Sequence, residues 1–480
     1  MAEQEISRKT FKPNEIDLQS IVLIAHNQTT VLDVKHMVHE LNVYESIYSK
    51  AVKADLVIED SIGLIERMPL VGDEWCMIKF KTPKYEKAFQ MIFRVYKISD
   101  RKIETERTHL YAIELVTNEF LAVMKHEIND TWIGKSGDEI VRSVFENYMN
   151  SENPENKKRK LVTEKAGNAI TLKATMMNPL SVIDYVGGES QATENVHSNY
   201  LFFEDHEQFH WTTIKTLLAG ETKETFFLVD ATKEVSNQRK QFTKSGNPLT
   251  HISSIGFASG LDVIRNHTSG FYDNSMDAFD PITKSMSSAN FINGRDYNNE
   301  KTKTTKLSGF QPFTLNSKYA ENTGYSHTRF IVSHLNSGID YIKSRIEPTE
   351  SEGVVSYPDD QLWFPRQRHS FAPQKVYESA AMSQIRINIT VPGNSDLKAG
   401  EIVELLIPQN TSDDFKDFVQ SYNLFFGQEN RAKFLVTDIT HNYKFSEDKY
   451  ISIIQLAKPD FATHPSNLDA IKADTNIEGF

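Results

Sequence analysis

Two stretches of this chain carry the same strand pattern in the same register, and that doubling limits its fold more than any other feature. With Phe93 set on Phe434 and no gaps, Phe93/Phe434, Val95/Val436, Ile98/Ile439, Glu106/Glu447, Ile113/Ile454 and Leu115/Leu456 are identical pairs. Ser99/Thr440, Thr105/Ser446, Leu110/Ile451 and Glu114/Gln455 are similar pairs. Each copy follows a strand, a glycine turn (Gly72 or Gly400) and a second strand that ends near Pro83 or Pro408. Alternation of period two produces apolar coincidences by itself. The gapless register and the shared order of turns go beyond it, and they predict two copies of one antiparallel β-module. Repeated heterologous contacts usually close into rings, so a trimer of such a chain would present six quasi-equivalent modules.

The remaining pattern places these copies in a longer chain. At about 150 residues per domain, a chain of 480 residues suggests about three domains. Residues 1–17 read as a flexible arm. Val52, Ala54, Leu56 and Ile58 alternate with polar neighbours, Met68 to Glu74 is a turn, and Trp75 to Phe80 is the next strand. With the Phe93 and His109 strands these make a first β-domain over 18–122. The texture then changes to a mixed α/β domain over 123–198. Ser136 with Glu139 reads as a capping box for a helix carrying Ile140, Val141 and Val144. Asn178-Pro179 starts a second helix, which Gly187-Gly188 is expected to stop. A second β-domain is expected in two pieces, 199–265 and 376–460, opening on a hairpin from Tyr200 to Thr212. Between them, 266–375 reads as a loop-rich insertion, with 271–325 poor in aliphatics, Lys301 to Lys306 a solvated loop and Pro358 to Pro373 irregular. Residues 461–480 form a polar tail. The fold class expected is mainly β with α+β insertions.

Charge and composition narrow the function. A net charge of -12 argues against a surface that grips nucleic acid, which needs excess Lys and Arg. It suits a wall past which DNA slides. One cysteine, Cys76, excludes an internal disulfide and points to a reducing compartment. The start Met-Ala-Glu-Gln-Glu carries no signal-peptide pattern. The run Ile21 to Ala25 is too short to span a membrane. Synthesis in the cytoplasm is therefore expected.

The one sharp chemical motif is His206-Glu207-Gln208-Phe209-His210. In a zinc peptidase both histidines lie on one helical face and the glutamate activates the metal-bound water. Here Phe202, Phe203, Phe209 and Trp211 fit a hairpin, in which the histidines need not converge, and Thr213 stands where the extended motif needs glycine. Gly134-Lys135-Ser136 echoes a phosphate loop but has Asn129 at its first glycine position. No catalytic, cofactor or metal residue is therefore assigned. A receptor- or carbohydrate-binding tail protein using the 271–325 loops is a further alternative, as is the zinc peptidase.

The chain resembles the central hub protein of contractile phage-tail baseplates. The stretches that carry this are Ala54 to Asp60, Leu64 to Asp73, Asn199 to Glu204 with Phe209 to Trp211, Leu261 to Tyr272, and Ile385 to Val391 leading through Leu397 to Glu401 into Ile402 to Pro408. The resemblance implies two tail-tube-like antiparallel β-barrels flanking smaller mixed domains, the second barrel split by an insertion. It implies a homotrimer with pseudo-sixfold symmetry whose partners are the tail tube protein, the central spike protein and other baseplate proteins. It also implies a virion location and a bore that passes DNA without specific binding. A type VI secretion hub shares this barrel logic.

Overall fold

The computed structural model describes residues 14–459 apart from 27–28, 69, 104–107, 151–157, 194–197, 229–247, 260–261, 272, 281–283, 293–327, 333–348, 352–353, 357–367 and 408–430. The first arm through residue 13, the loop at Lys301 to Lys306 and the tail from 460 lie outside the described residues. The molecule is mainly β. Its principal feature is a 14-stranded sheet that contains both repeats.

In the first repeat the spatial order of strands is Val38–Ser46, Lys53–Asp60, His109–Thr117, Phe89–Ile103, Trp75–Lys81, Asp17–Ile24, then Val31–Asp33. In the second it is Ser254–Ser259, Ile385–Pro392, Lys449–Lys458, Arg431–Lys444, Ile402–Leu406, Thr222–Leu228, then His251–Ile252. Chain order and spatial order correspond strand for strand. Alternating side chains explain the burial. Ala54, Leu56 and Ile58 lie on the inner face of the first repeat, and Ile385, Ile387 and Ile389 on that of the second. Each repeat has its own apolar cluster, which the inward faces of its strands enclose.

The repeat extends to individual hydrogen-bond partners. Val95 faces Leu115, Tyr96 is bulged out, and Lys97 faces Glu114. Val436 faces Leu456, Thr437 is bulged out, and Asp438 faces Gln455. A bulge is a defined one-residue insertion, not a product of alternation, so its recurrence at Tyr96 and Thr437 marks a true duplication. The Val95 amide donates to the Glu74 carbonyl and the Val436 amide to the Glu401 carbonyl, both at 2.9 Å. The turns that lead into the neighbouring strands Trp75–Lys81 and Ile402–Leu406 are each capped by a glutamate: Glu74 accepts from the Val71 amide at 2.7 Å and Glu401 from the Lys398 amide at 3.1 Å. Gly72 and Gly400, both at φ 91, supply the left-handed residue of these turns. The copies differ in one strand direction. Asp17–Ile24 runs antiparallel to Trp75–Lys81, whereas Thr222–Leu228 runs parallel to Ile402–Leu406.

A third apolar cluster makes the middle body from Val123 to Trp211. Here several expectations are corrected. The hairpin Tyr200–Glu204 with Phe209–Thr213 does not open the second β-domain. It pairs in parallel with Leu161–Thr163, and Tyr200, Phe202, Phe209 and Trp211 fill the middle core. Ser136 stands at the N-cap of Gly137–Val144, but its hydroxyl makes no capping bond. Glu139 lies instead 3.8 Å from Lys135, so the capping box is not formed. Asn178 does cap the next helix, accepting from the Leu180 amide at 3.0 Å. Gly187 and Gly188 do not stop that helix, which runs to Glu189. A Cβ at Gly187 would come 3.7 Å from that of Tyr200, an ordinary contact, where the helix faces the hairpin. In the insertion, the stretch expected to be loop holds the antiparallel strands Asp273–Asp280 and Ser285–Ile292. Backbone pairing carries them despite their polar composition. Pro373 lies inside the helix Arg368–Ala381 rather than in irregular chain. Cys76 is fully buried in the first core, and burial pushes its thiol up.

Gly393 offers a direct test of packing where the repeats meet. A Cβ there would overlap the ring of Tyr450, which is fully buried. Gly393→Ala is expected to destabilise the fold by about 1–3 kcal/mol, read as a lower denaturant midpoint.

Candidate functional site: the seam between the repeats

The two repeats join edge to edge. The outer half of Arg431–Lys444 extends beyond Ile402–Leu406 and pairs antiparallel with Val38–Ser46. Thr440 faces Tyr44, Asn442 faces Asn42 and Tyr443 faces Leu41. The sheet is therefore continuous through the seam. Tyr443 and Tyr450, both from the second repeat, bury their rings in the core of the first. Tyr450 meets Phe80 edge to face at 5.5 Å and its hydroxyl lies 2.8 Å from His441 Nδ1. Burial, then the nearby charge of His206, lowers His441 to about 3, so it stays neutral at ordinary pH. Thr82 adds a second tie, its hydroxyl donating to the Gly393 carbonyl at 2.9 Å and its amide to Ser395 Oγ at 3.0 Å.

The middle body locks this seam through the turn of its hairpin. Asp205 shapes the turn by accepting from the Glu207 and Gln208 amides at 2.7 and 2.6 Å. The motif at 206–210 then points in three directions. His206 Nδ1 lies 2.7 Å from Glu45 Oε1 of the first repeat, both side chains buried. Glu207 pairs with Lys87 of the first repeat at 3.2 Å and with Lys398 of the second. His210 Nε2 returns to Asp205 at 2.8 Å. The two histidines thus serve different carboxylates. Among the described residues no group of three His, Cys, Asp or Glu side chains is arranged to hold a metal ion.

Beside this turn lies a cleft of about 460 Å³ lined in part by Thr117, Glu119, Arg159, Glu204 and His206. Glu204 is buried and accepts from the Val52 amide at 3.0 Å, Thr117 Oγ1 at 2.7 Å and Arg159 at 3.2 Å. Arg159 also donates to the carbonyls of Asp205 at 2.6 Å and His206 at 2.9 Å. Two donors and a guanidinium favour the carboxylate, yet burial outweighs them and pushes Glu204 up to about 8. Glu119 is raised by burial as well, so two buried carboxyls share one guanidinium. Burial pulls the His206 imidazole down, but the charge and hydrogen bond of Glu45 outweigh it and the net shift is upward. Asp205 moves the other way: burial raises it, His210 and the turn amides lower it, and it settles at about 2.

The signs for stability follow by linkage. Glu204 and His206 bind protons more tightly folded than unfolded. Their contributions are full below the unfolded values of about 4.3 and 6.5, and fade as pH rises through the folded ones. Asp205 contributes above about 3.9 and is lost as pH falls toward its folded value.

The motif at His206 and His210 was visible in the sequence as a candidate metal site. The structure makes it a three-way clamp. Glu45, Arg159, Glu204 and Lys398 complete the clamp, and none of them stands out locally in the sequence.

No protein-family model matches the chain, and no curated protein matches it. Several solved structures are similar. A tail protein from Neisseria meningitidis is 9% identical with a TM-score of 0.49, over 92% of this chain and 96% of that one. A prophage tail protein from Shewanella oneidensis is also 9% identical with a TM-score of 0.49, over 92% and 98%. A component of the type VI secretion system from E. coli is 8% identical with a TM-score of 0.41, over 94% and 78%. No helix among the described residues is long and apolar enough to cross a membrane.

Proposed function

We propose that this chain is a structural hub of a contractile-tail baseplate, without catalytic activity. Three copies close into a ring, and the two repeats of each copy give it six similar positions. Such a ring matches a sixfold tail tube on one side and a threefold spike on the other, with other baseplate proteins around it. Its bore passes DNA, and an acidic chain offers phosphate little to hold. The observation that supports this reading most is the duplication itself. One chain carries two sheets of the same strand order and register, fused edge to edge into a continuous sheet.

The symmetry of the isolated particle tests it. Mass measurement of the full chain is expected to give three copies, and electron microscopy a ring of six lobes around a central hole. A stable monomer at high concentration, with no ring in any assembly, would overturn the reading.

A further inference from the structure

The seam inside the chain has a counterpart that is left open at each end of the doubled sheet. Within the chain, the seam joins the outer half of Arg431–Lys444 to Val38–Ser46. The duplicate of the first strand is Phe89–Ile103, whose residues from Lys97 onward extend beyond Trp75–Lys81 in the same way. The duplicate of the second is Ser254–Ser259, which pairs with Ile385–Pro392 on one side. Among the described residues, no strand pairs with the free side of either. Both edges carry exposed apolar side chains. Ile103 is 72% exposed and Phe257 59%, while Tyr443 and Val43, their counterparts at the closed seam, are 5% and 0%. Unprotected edges of this kind are templates for pairing with another chain.

We propose that these two edges pair with each other between copies of this chain, repeating the internal seam. This deepens the ring reading and rests on it. The register is set by the duplication. Lys102 corresponds to Asn442, since they face Leu110 and Ile451. Gly256 corresponds to Asn42, since they face Asn388 and Asp55. Asn442 faces Asn42 in the internal seam, so Lys102 faces Gly256 of the neighbour. By the same mapping Ser99 faces Ser259 and Ile103 faces Ile255. The strands run antiparallel, and Ile103, Ile255 and Phe257 meet on the inner face, where Tyr443, Leu41 and Val43 meet inside the chain. The occupant is a second copy because this chain itself supplies both edges in the register of its internal seam.

Cysteines test the register in the full chain. Lys102→Cys with Gly256→Cys places two thiols on facing residues, and a side chain at Gly256 meets nothing within 4 Å. Oxidation is expected to link chains into dimers and covalently closed trimers, reversed by reductant. The offset pair Lys102→Cys with Ser253→Cys should link far less. Phe257→Asp should abolish the assembly while leaving the circular dichroism unchanged. A ring of three chains that fails to link at 102 and 256 overturns this pairing and leaves the hub reading standing. Linked open chains without closure support the pairing and overturn the ring. A chain that remains monomeric overturns both.

Discussion

Glu45→Ala is expected to destabilise the protein by about 3–5 kcal/mol near pH 6, the cost typical of removing one partner from a buried ion pair. Glu45 and His206 are both buried, and their contact joins the first repeat to the middle body. Without the carboxylate, His206 loses the group that holds its proton, and burial alone then drives it neutral. The difference between wild type and variant is therefore largest at pH 5–6, where the unfolded imidazole is charged. It narrows above about 6.5 as the imidazolium becomes scarce in the wild type too. Denaturant titrations at pH 5.5 and 8.5 measure this. An equal loss at both values would assign Glu45 a packing role alone. Adding His206→Gln should recover part of the loss, since the two changes act on one contact.

Arg159→Ala is expected to be comparably severe, with the opposite pH dependence. Its guanidinium faces the Glu204 carboxyl and two turn carbonyls. At pH 5 Glu204, raised to about 8, already carries its proton, and the variant loses only hydrogen bonds, about 1.5–3 kcal/mol for each bond to a charged group. Toward pH 9 wild-type Glu204 ionises against Arg159, whereas the variant must hold that charge unpaired or keep it protonated. The loss should therefore grow as pH rises, again by denaturant titration, and a loss that shrinks with pH would refute this role for Arg159. In the wild type, the Glu204 contribution itself fades over the same range.

The β-framework was legible because one buried face imposes period two. Val52 to Ile58 and Ile385 to Val391 announce Lys53–Asp60 and Ile385–Pro392 almost to the residue. The duplication was legible because the inward Phe, Val and Ile positions recur in register around a shared bulge. The hairpin from Tyr200 was visible as a hairpin, but its allegiance was not. Its partner Leu161–Thr163 is a three-residue strand, too short to carry a period. Strands Asp273–Asp280 and Ser285–Ile292 were missed because their pairing rests on the backbone, with side-chain ties such as Ser288 to Asp277 at 2.6 Å, and few aliphatics mark a buried face. The clamp was hidden for a different reason. Glu45, Arg159 and Glu204 are single charges among 65 acidic and 53 basic residues, and only folding brings them together.

Fusing two repeats in one chain also changes how an assembly would respond to dilution. In a ring of such chains, half of the seams lie between chains and half within one. The seams between chains carry the loss of translational and rotational freedom of each chain added, about 4–15 kcal/mol. The seam at Arg431–Lys444 and Val38–Ser46 does not, because the covalent backbone keeps its halves at high effective concentration. Dilution would therefore part the ring first at the seams between Lys97–Ile103 and Ser254–Ser259, releasing chains whose own repeats remain joined.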